Sequence, residues 1–287
     1  MTRFNKIAII GVGLIGGSIG LAIKKKHIAG RVVGFFRRSS TMKKALKCKA
    51  VDSGTMDIFE AVDGADLIIL ATPVHLIPQL AAKVIRIAKK GAIITDAGST
   101  KGWIVAKIEN LIKIKSGVFF VGSHPMAGSE HAGVEFAKVG LFNGSPCIIT
   151  KTSRTDNKAL AKIIGFWNDI GTNVSVMDPS QHDRSVALIS HLPHIVAFSL
   201  AGAVPVEELA YAAEGFKDTT RVASSDPMLW ADIFFTNKRE LIKSAKMFDK
   251  FYRRLIAALS KNDSFEMIKL LSQAKTNRDK LKYAKSH

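Results

Sequence analysis

The sequence predicts an α/β protein in two parts, a doubly wound parallel sheet followed by an all-helical region. Three observations predict it. Short apolar runs alternate with helix-length segments up to residue 177, a Gly-x-Gly-x-x-Gly stands at the first strand–helix junction, and strand-like runs stop after Asp178-Pro179. We therefore expect one domain over residues 1–177 and a second over 178–287.

The elements follow in order. Residues 6–10 form an apolar strand and 14–25 a helix; 31–36 are a second strand, and 42–47 open a second helix. A third strand at 66–71 ends at Thr72-Pro73 and leads to a helix at 76–88. A fourth strand at 92–96, a helix at 103–111 and a fifth strand at 118–121 come next, and strands at 147–150 and 173–177 flank a helix at 156–170. Strands alternating with helices imply a parallel sheet covered on both faces. Beyond Asp178 a helix is expected over 180–204, broken near Pro193 and ended by Pro205, then a shorter one over 206–213 that stops at Gly215. Asp226-Pro227 reads as a helix start with Pro in the first turn, and 231–260 and 265–283 complete the set.

The 287 residues are 47% hydrophobic and 23% charged, proportions that exclude a disordered tail, a collagen-like repeat and a small disulfide scaffold. Cys48 and Cys147 lie far apart with no cysteine nearby, so a reduced, cytoplasmic compartment is expected. Residues 7–23, behind Arg3 and Lys6, resemble a signal peptide, but Gly11, Gly13, Gly16, Gly17 and Gly20 make them a poor simple helix. No other run approaches spanning length, and no membrane association is expected. Lys and Arg number 42 against 24 Asp and Glu, a net +18; residues 238–287 hold fourteen basic and five acidic side chains. A second basic cluster runs from Lys24 to Lys49. Such runs read as solvated faces. With no zinc-finger spacing or RNA-recognition signature, no nucleic-acid partner is expected, whereas a positive field suits small anionic substrates.

Gly11-Val12-Gly13-Leu14-Ile15-Gly16 follows a strand and opens a helix, the context in which this motif binds a dinucleotide. Gly11 permits the tight turn, Gly13 lets backbone approach a pyrophosphate, and Gly16 lets the helix pack on the strand. Leu14 and Ile15 begin the helix whose N–H groups and dipole meet the phosphates. The sheet is thus of Rossmann type. An acidic residue about 20 positions on would hold the ribose of NAD. Phe36 stands there instead, followed by Arg37, Arg38, Ser39 and Ser40, whose guanidiniums and hydroxyls suit a 2′-phosphate. NADP is expected as the preferred cofactor, with NAD possible.

In such a sheet, ligands bind beyond the carboxyl ends of the strands. Thr72-Pro73, Asp96-Ala97-Gly98-Ser99-Thr100-Lys101 and Gly122-Ser123-His124-Pro125 all fall there. Thr100 reads equally as a helix cap, and Lys101 as a solvated residue. His124 is the candidate general base, its backbone restricted by Pro125 and its neutral ring able to accept a hydroxyl proton. The helical region adds Gln181-His182-Asp183, Ser190-His191-Leu192-Pro193-His194, and residues 215–230 from Gly215 through Arg221 to Trp230. His191 and His194 share a helix face, but no carboxylate pattern accompanies them and no metal site is expected.

These motifs resemble the prephenate, or cyclohexadienyl, dehydrogenase family. The matching stretches are GVGLIGGS at 11–18, DAGSTK at 96–101, SHPMAGSE at 123–130, SHLPH at 190–194 and GFKDTTRVASSDPMLW at 215–230. The resemblance implies a dinucleotide-binding domain followed by a helical substrate and dimerisation domain that makes a homodimer. It implies oxidative decarboxylation of prephenate to 4-hydroxyphenylpyruvate, or of arogenate to tyrosine, with hydride transfer to NADP or NAD. By position, His124 matches the catalytic histidine and Ser99 the serine that orients the ring hydroxyl. Arg221 matches the arginine that binds a substrate carboxylate. His194, Glu130, Asp183 and Trp230 match residues lining or gating the pocket. The chain departs from NAD-preferring members at Phe36, and Arg37-Arg38 is similar to NADP users. No room is expected for a fused mutase or a regulatory domain. The SHPMAGSE and SHLPH stretches argue against a related 3-hydroxyacid dehydrogenase.

Overall fold

The structure, a computed structural model, describes residues 3–112, 117–129 and 131–283. Eight strands make one sheet: β1 (Phe4–Ile10), β2 (Ala29–Phe35), β3 (Ser53–Thr55), β4 (Leu67–Leu70), β5 (Ile93–Asp96), β6 (Phe119–Pro125), β7 (Pro146–Thr150) and β8 (Asn173–Met177). Their order is β3-β2-β1-β4-β5-β6-β7-β8, parallel throughout except for the antiparallel pair β6–β7. The doubly wound α/β fold is therefore present, with that one reversed pairing added to the expected parallel sheet.

Alternation along the strands splits the core in two. Ile7 and Ile9 of β1 pack with Val32, Leu67 and Ile69 on one face; Ala8 and Ile10 pack with Val33, Ile68 and Leu70 on the other. Helices cover both faces: α1 (Leu14–Lys25), α2 (Ser39–Lys47), α3 (Ile58–Val62), α4 (Ile77–Ile87), α5 (Gly102–Ile112) and α6 (Asn157–Ile170). The run 7–23 thus divides into a strand and a helix. The sequence reading missed β3 and α3, which are too short to show periodicity.

The fifth strand runs four residues beyond its expected end, to Pro125, because β7 supplies an antiparallel ladder to Gly122–Pro125. His124 therefore sits within a strand opposite Ile148.

The helical segments are α7 (Pro179–Val186), α8 (Leu192–Ala203), α9 (Glu214–Thr220), α10 (Pro227–Thr236), α11 (Lys238–Ser260) and α12 (Ser264–Tyr283). Asp178 caps α7, accepting from the N–H groups of Ser180 and Gln181 at 2.9 Å. Asp226 caps α10 likewise, through Met228 N–H at 2.8 Å. The expected break near Pro193 is absent. A π-turn over Ala187–His191 carries α7 into α8, and this wider turn accommodates the proline that lacks an N–H. The joined Pro179–Ala203 helix is long and apolar enough to cross a membrane, contrary to the expectation that no second run reaches that length. Its His182, Asp183 and His191 are buried in the protein and hydrogen-bonded there. Gly215 does not stop a helix; α9 runs through it, and the segment before it, Val206–Tyr211, is a 3₁₀ turn. The expected helix over 231–260 divides at Asn237, whose amide donates to the Asp183 carbonyl at 2.8 Å.

By packing, the chain forms two compact units, Met1–Lys238 and Arg239–His287. In the first, Trp230 and Ile233 of α10 join the core on one face of the sheet. The second consists of α11 beyond Lys238 and of α12, joined by an ion pair between Arg254 and Glu266.

Candidate active site

β1 and β4 are neighbours although β2 and β3 lie between them in sequence, so the winding reverses here and the crevice between their carboxyl ends is the expected ligand site. Gly11 leaves β1 with φ +97°, and a Cβ there would stand 2.6 Å from the Ala71 carbonyl oxygen. A Cβ on Gly16 would stand 2.0 Å from the Gly11 oxygen, so helix and loop touch through backbone. A Cβ on Gly13 would meet nothing within 4 Å. Gly13 begins α1 without a side-chain cap, leaving the first-turn N–H groups at Leu14 and Ile15 for a ligand. Thr72 and Pro73 follow β4, and Thr72 Oγ1 is buried with no hydrogen-bond partner among the described residues. An open approach, uncapped N–H groups and an orphaned hydroxyl fit a dinucleotide pyrophosphate.

At the end of β2, Phe36 is buried in the core and offers no acceptor. Arg37, Arg38 and Ser39 are exposed. Arg38 is the uncapped N-cap of α2, Ser39 its first residue, and its first turn carries no acidic side chain.

The chemical end is a buried network. His124 Nδ1 lies 2.8 Å from His182 Nε2. His182 Nδ1 lies 2.8 Å from Asp183 Oδ1. That carboxylate also accepts from Lys101 N–H and Gly102 N–H, both at 2.8 Å, so it joins α7 to the start of α5. Hydrogen bonds from these donors hold the Asp183 carboxyl below the usual range despite its burial. Lys101 is not a solvated residue; it is fully buried and its ammonium is paired with Asp96. Asp96 also accepts from Gly98 N–H at 2.9 Å and Ser123 N–H at 3.2 Å. Burial pushes His124 well below its ordinary value, reinforced by His182, Lys101 and His191, so its ring is neutral. Burial lowers His182 too, against the opposing pull of Asp183.

Ser99 is half-buried in the loop after β5, and among the described residues it shares no hydrogen bond with His124, whose partner is His182. His194 stacks on Trp230 with ring centroids 3.4 Å apart, and its Nδ1–H donates to the Ser190 carbonyl at 2.9 Å. Burial lowers His194, and the positive charge of Arg221 lowers it further; Arg221 is exposed and opens a 3₁₀ turn that packs on α8. Glu130 lies outside the described residues.

Sequence reasoning quoted His182 and His191 but gave them no role, and it missed Asn237. His191 is buried, edge-on to Trp230, and accepts at Nδ1 from the Asn237 amide at 3.2 Å. Burial pushes it down to about 4. The local signal for His182 was its adjacency to Asp183; its meeting with His124, 58 residues away, carried none.

Residues 19–176 match the family model of the prephenate dehydrogenase nucleotide-binding domain, and residues 178–273 that of the prephenate dehydrogenase dimerization domain. A cyclohexadienyl dehydrogenase of Zymomonas mobilis is 35% identical over 98% of each chain. The crystal structure of Aquifex aeolicus prephenate dehydrogenase with hydroxyphenyl propionate and NAD+ is 33% identical, covers 96% of this chain and 98% of its own, and superposes with a TM-score of 0.89. A Synechocystis arogenate dehydrogenase is 32% identical over 96% of this chain and 99% of its own, with a TM-score of 0.81. With both family models in tandem and relatives matched end to end, this chain belongs to the prephenate dehydrogenase family of NAD(P)-dependent oxidoreductases.

Proposed function

We propose that this chain converts prephenate to 4-hydroxyphenylpyruvate by oxidative decarboxylation, prefers NADP, and works as a cytoplasmic homodimer. The observation that carries the chemistry is His124, a buried neutral histidine at the carboxyl end of β6. The dinucleotide, bound at the start of α1, supplies the hydride acceptor. The rest falls to the protein. His124 accepts the proton of the ring hydroxyl at Nε2, and Ser99 orients that hydroxyl. Arg221 holds a substrate carboxylate, and His194, Trp230, Glu130 and Asp183 shape the pocket. Orientation and placed charge supply most of the catalysis, because departure of carbon dioxide gives an aromatic ring.

Preference for NADP is supported by the buried Phe36 and by exposed Arg37, Arg38 and Ser39 at the uncapped start of α2. We assign residues 1–177 to dinucleotide binding, and 178–287 to substrate binding and dimerisation. Exposed apolar side chains along α11 and α12, among them Met247, Phe248, Ile256, Phe265 and Ile268, support a twin-chain interface. Light scattering at about twice the chain mass of 31.2 kDa is expected, and a fully active monomer would refute it.

Arogenate is the second reading, favoured by similarity to the Synechocystis enzyme. Turnover of both substrates with both cofactors decides between the readings. The expected outcome is highest kcat/KM for prephenate with NADP; equal or better turnover of arogenate reverses the assignment.

A further inference from the structure

We infer that His182 is a positioning residue that locks His124 in the tautomer with hydrogen on Nδ1 and a lone pair on Nε2. The inference deepens the proposed role of His124 and rests on it. An ionised carboxylate only accepts. The 2.8 Å contact between Asp183 Oδ1 and His182 Nδ1 therefore requires hydrogen on that nitrogen. His182 is fully buried and neutral, so its Nε2 carries a lone pair. That nitrogen lies 2.8 Å from His124 Nδ1, and two lone pairs cannot face each other at this distance. His124 must then donate from Nδ1, which leaves Nε2 free to accept a proton.

The arrangement acts during reaction as well. Once His124 takes up the hydroxyl proton, its cationic ring donates to a histidine that is itself polarised by a carboxylate, and the charge-assisted bond is stronger than the neutral one. Among the described residues, the other charged and titratable groups acting on His124 are Lys101 and His191, and the Lys101 ammonium is offset by Asp96. Among the described residues, the hydrogen-bonded route that stabilises positive charge building on His124 runs through His182 to Asp183.

The test joins spectroscopy to kinetics. Full-length protein labelled with 15N-histidine is recorded by long-range 1H–15N correlation at pH 7.5, with His124 assigned by its loss in His124→Asn. The expected result is the Nδ1–H tautomer; the Nε2–H tautomer overturns the inference whether or not any variant folds. In His182→Phe, where no acceptor remains, kcat should fall roughly a hundredfold or more, as when a catalytic histidine loses its orienting partner, with KM for NADP unchanged. His182→Gln keeps a carbonyl acceptor and should recover kcat to within about tenfold of wild type. A folded His182→Phe with wild-type kcat and pH profile would also overturn it. If His124→Asn retains full turnover, the assignment of the base fails by itself, while the tautomer measurement still stands on its own result.

Discussion

The two ends of this site are built in opposite ways. At the nucleotide end the working groups are backbone, supplied by consecutive residues of one loop: Gly11 turning at φ +97°, Gly13 open to approach, and α1 beginning without a cap. At the chemical end they are side chains from four separate places, with His124 on β6, Lys101 before α5, His182 and Asp183 on α7, and Asn237 after α10. The first is open, and its groups await a partner. The second is closed, and Asp183, His182 and His124 are joined by hydrogen bonds within it, while His191 Nε2 has no partner among the described residues. A site that binds a common cofactor needs only a shape that backbone can make. A site that must hold one ring nitrogen ready to accept a proton needs low dielectric and fixed partners.

Substitutions should separate these ends. The largest effect belongs to the chemical end. His124→Asn should lower kcat by about two to four powers of ten, the scale of general-base loss, with little change in cofactor affinity; near wild-type turnover of both substrates would sink the mechanism. In the proposed role of Arg221, Arg221→Ala would remove charge-assisted hydrogen bonds to a substrate carboxylate made in ground and transition states alike. It should raise KM for substrate by roughly 10- to 100-fold and leave kcat nearly unchanged. A loss confined to kcat would move Arg221 from binding into the chemistry.

At the nucleotide end, replacing Arg37 and Arg38 together by Ala should raise KM for NADP about tenfold, the worth of one charge-assisted bond at an exposed position, and leave KM for NAD nearly unchanged. Equal effects on the two cofactors would remove the assignment to NADP.

The smallest expected effect is that of pH, and it too distinguishes the ends. His124, His182, His191 and His194 are all lowered by burial in the folded protein. In the unfolded chain they take up protons near their ordinary value of about 6.5. Below that pH the unfolded state therefore binds more protons than the folded state, and stability falls as pH falls. For His191 the window runs from the ordinary value of 6.5 down to about 4. Tm should be lower at pH 5 than at pH 7.5, and an unchanged Tm would contradict the buried, neutral cluster. For the same reason kcat should hold steady through pH 6.5 and decline only in more acid solution, since burial keeps His124 unprotonated there.

The same contrast explains what could be read in advance. The glycine loop was legible because its motif is local: Gly11, Gly13 and Gly16 fall within six residues at a strand–helix junction, and α1 spans Leu14–Lys25 as the pattern implied. The helix start at Asp226-Pro227 was legible for the same reason, since a cap is a bond between near neighbours. The candidates His124, Arg221, His194 and Trp230 were reached through motif resemblance, and the first was also placed by strand topology. Tertiary structure alone decided the rest. The reversed β6–β7 pairing lengthened a strand, and the π-turn carried a helix through Pro193. Folding buried Lys101 against Asp96 and brought His182 to His124. The β6–β7 pairing and the meeting of His182 with His124 join residues distant in sequence, the latter in a space from which water is excluded. No local pattern encodes such a meeting, because the energy that fixes it appears only once the chain has closed around it.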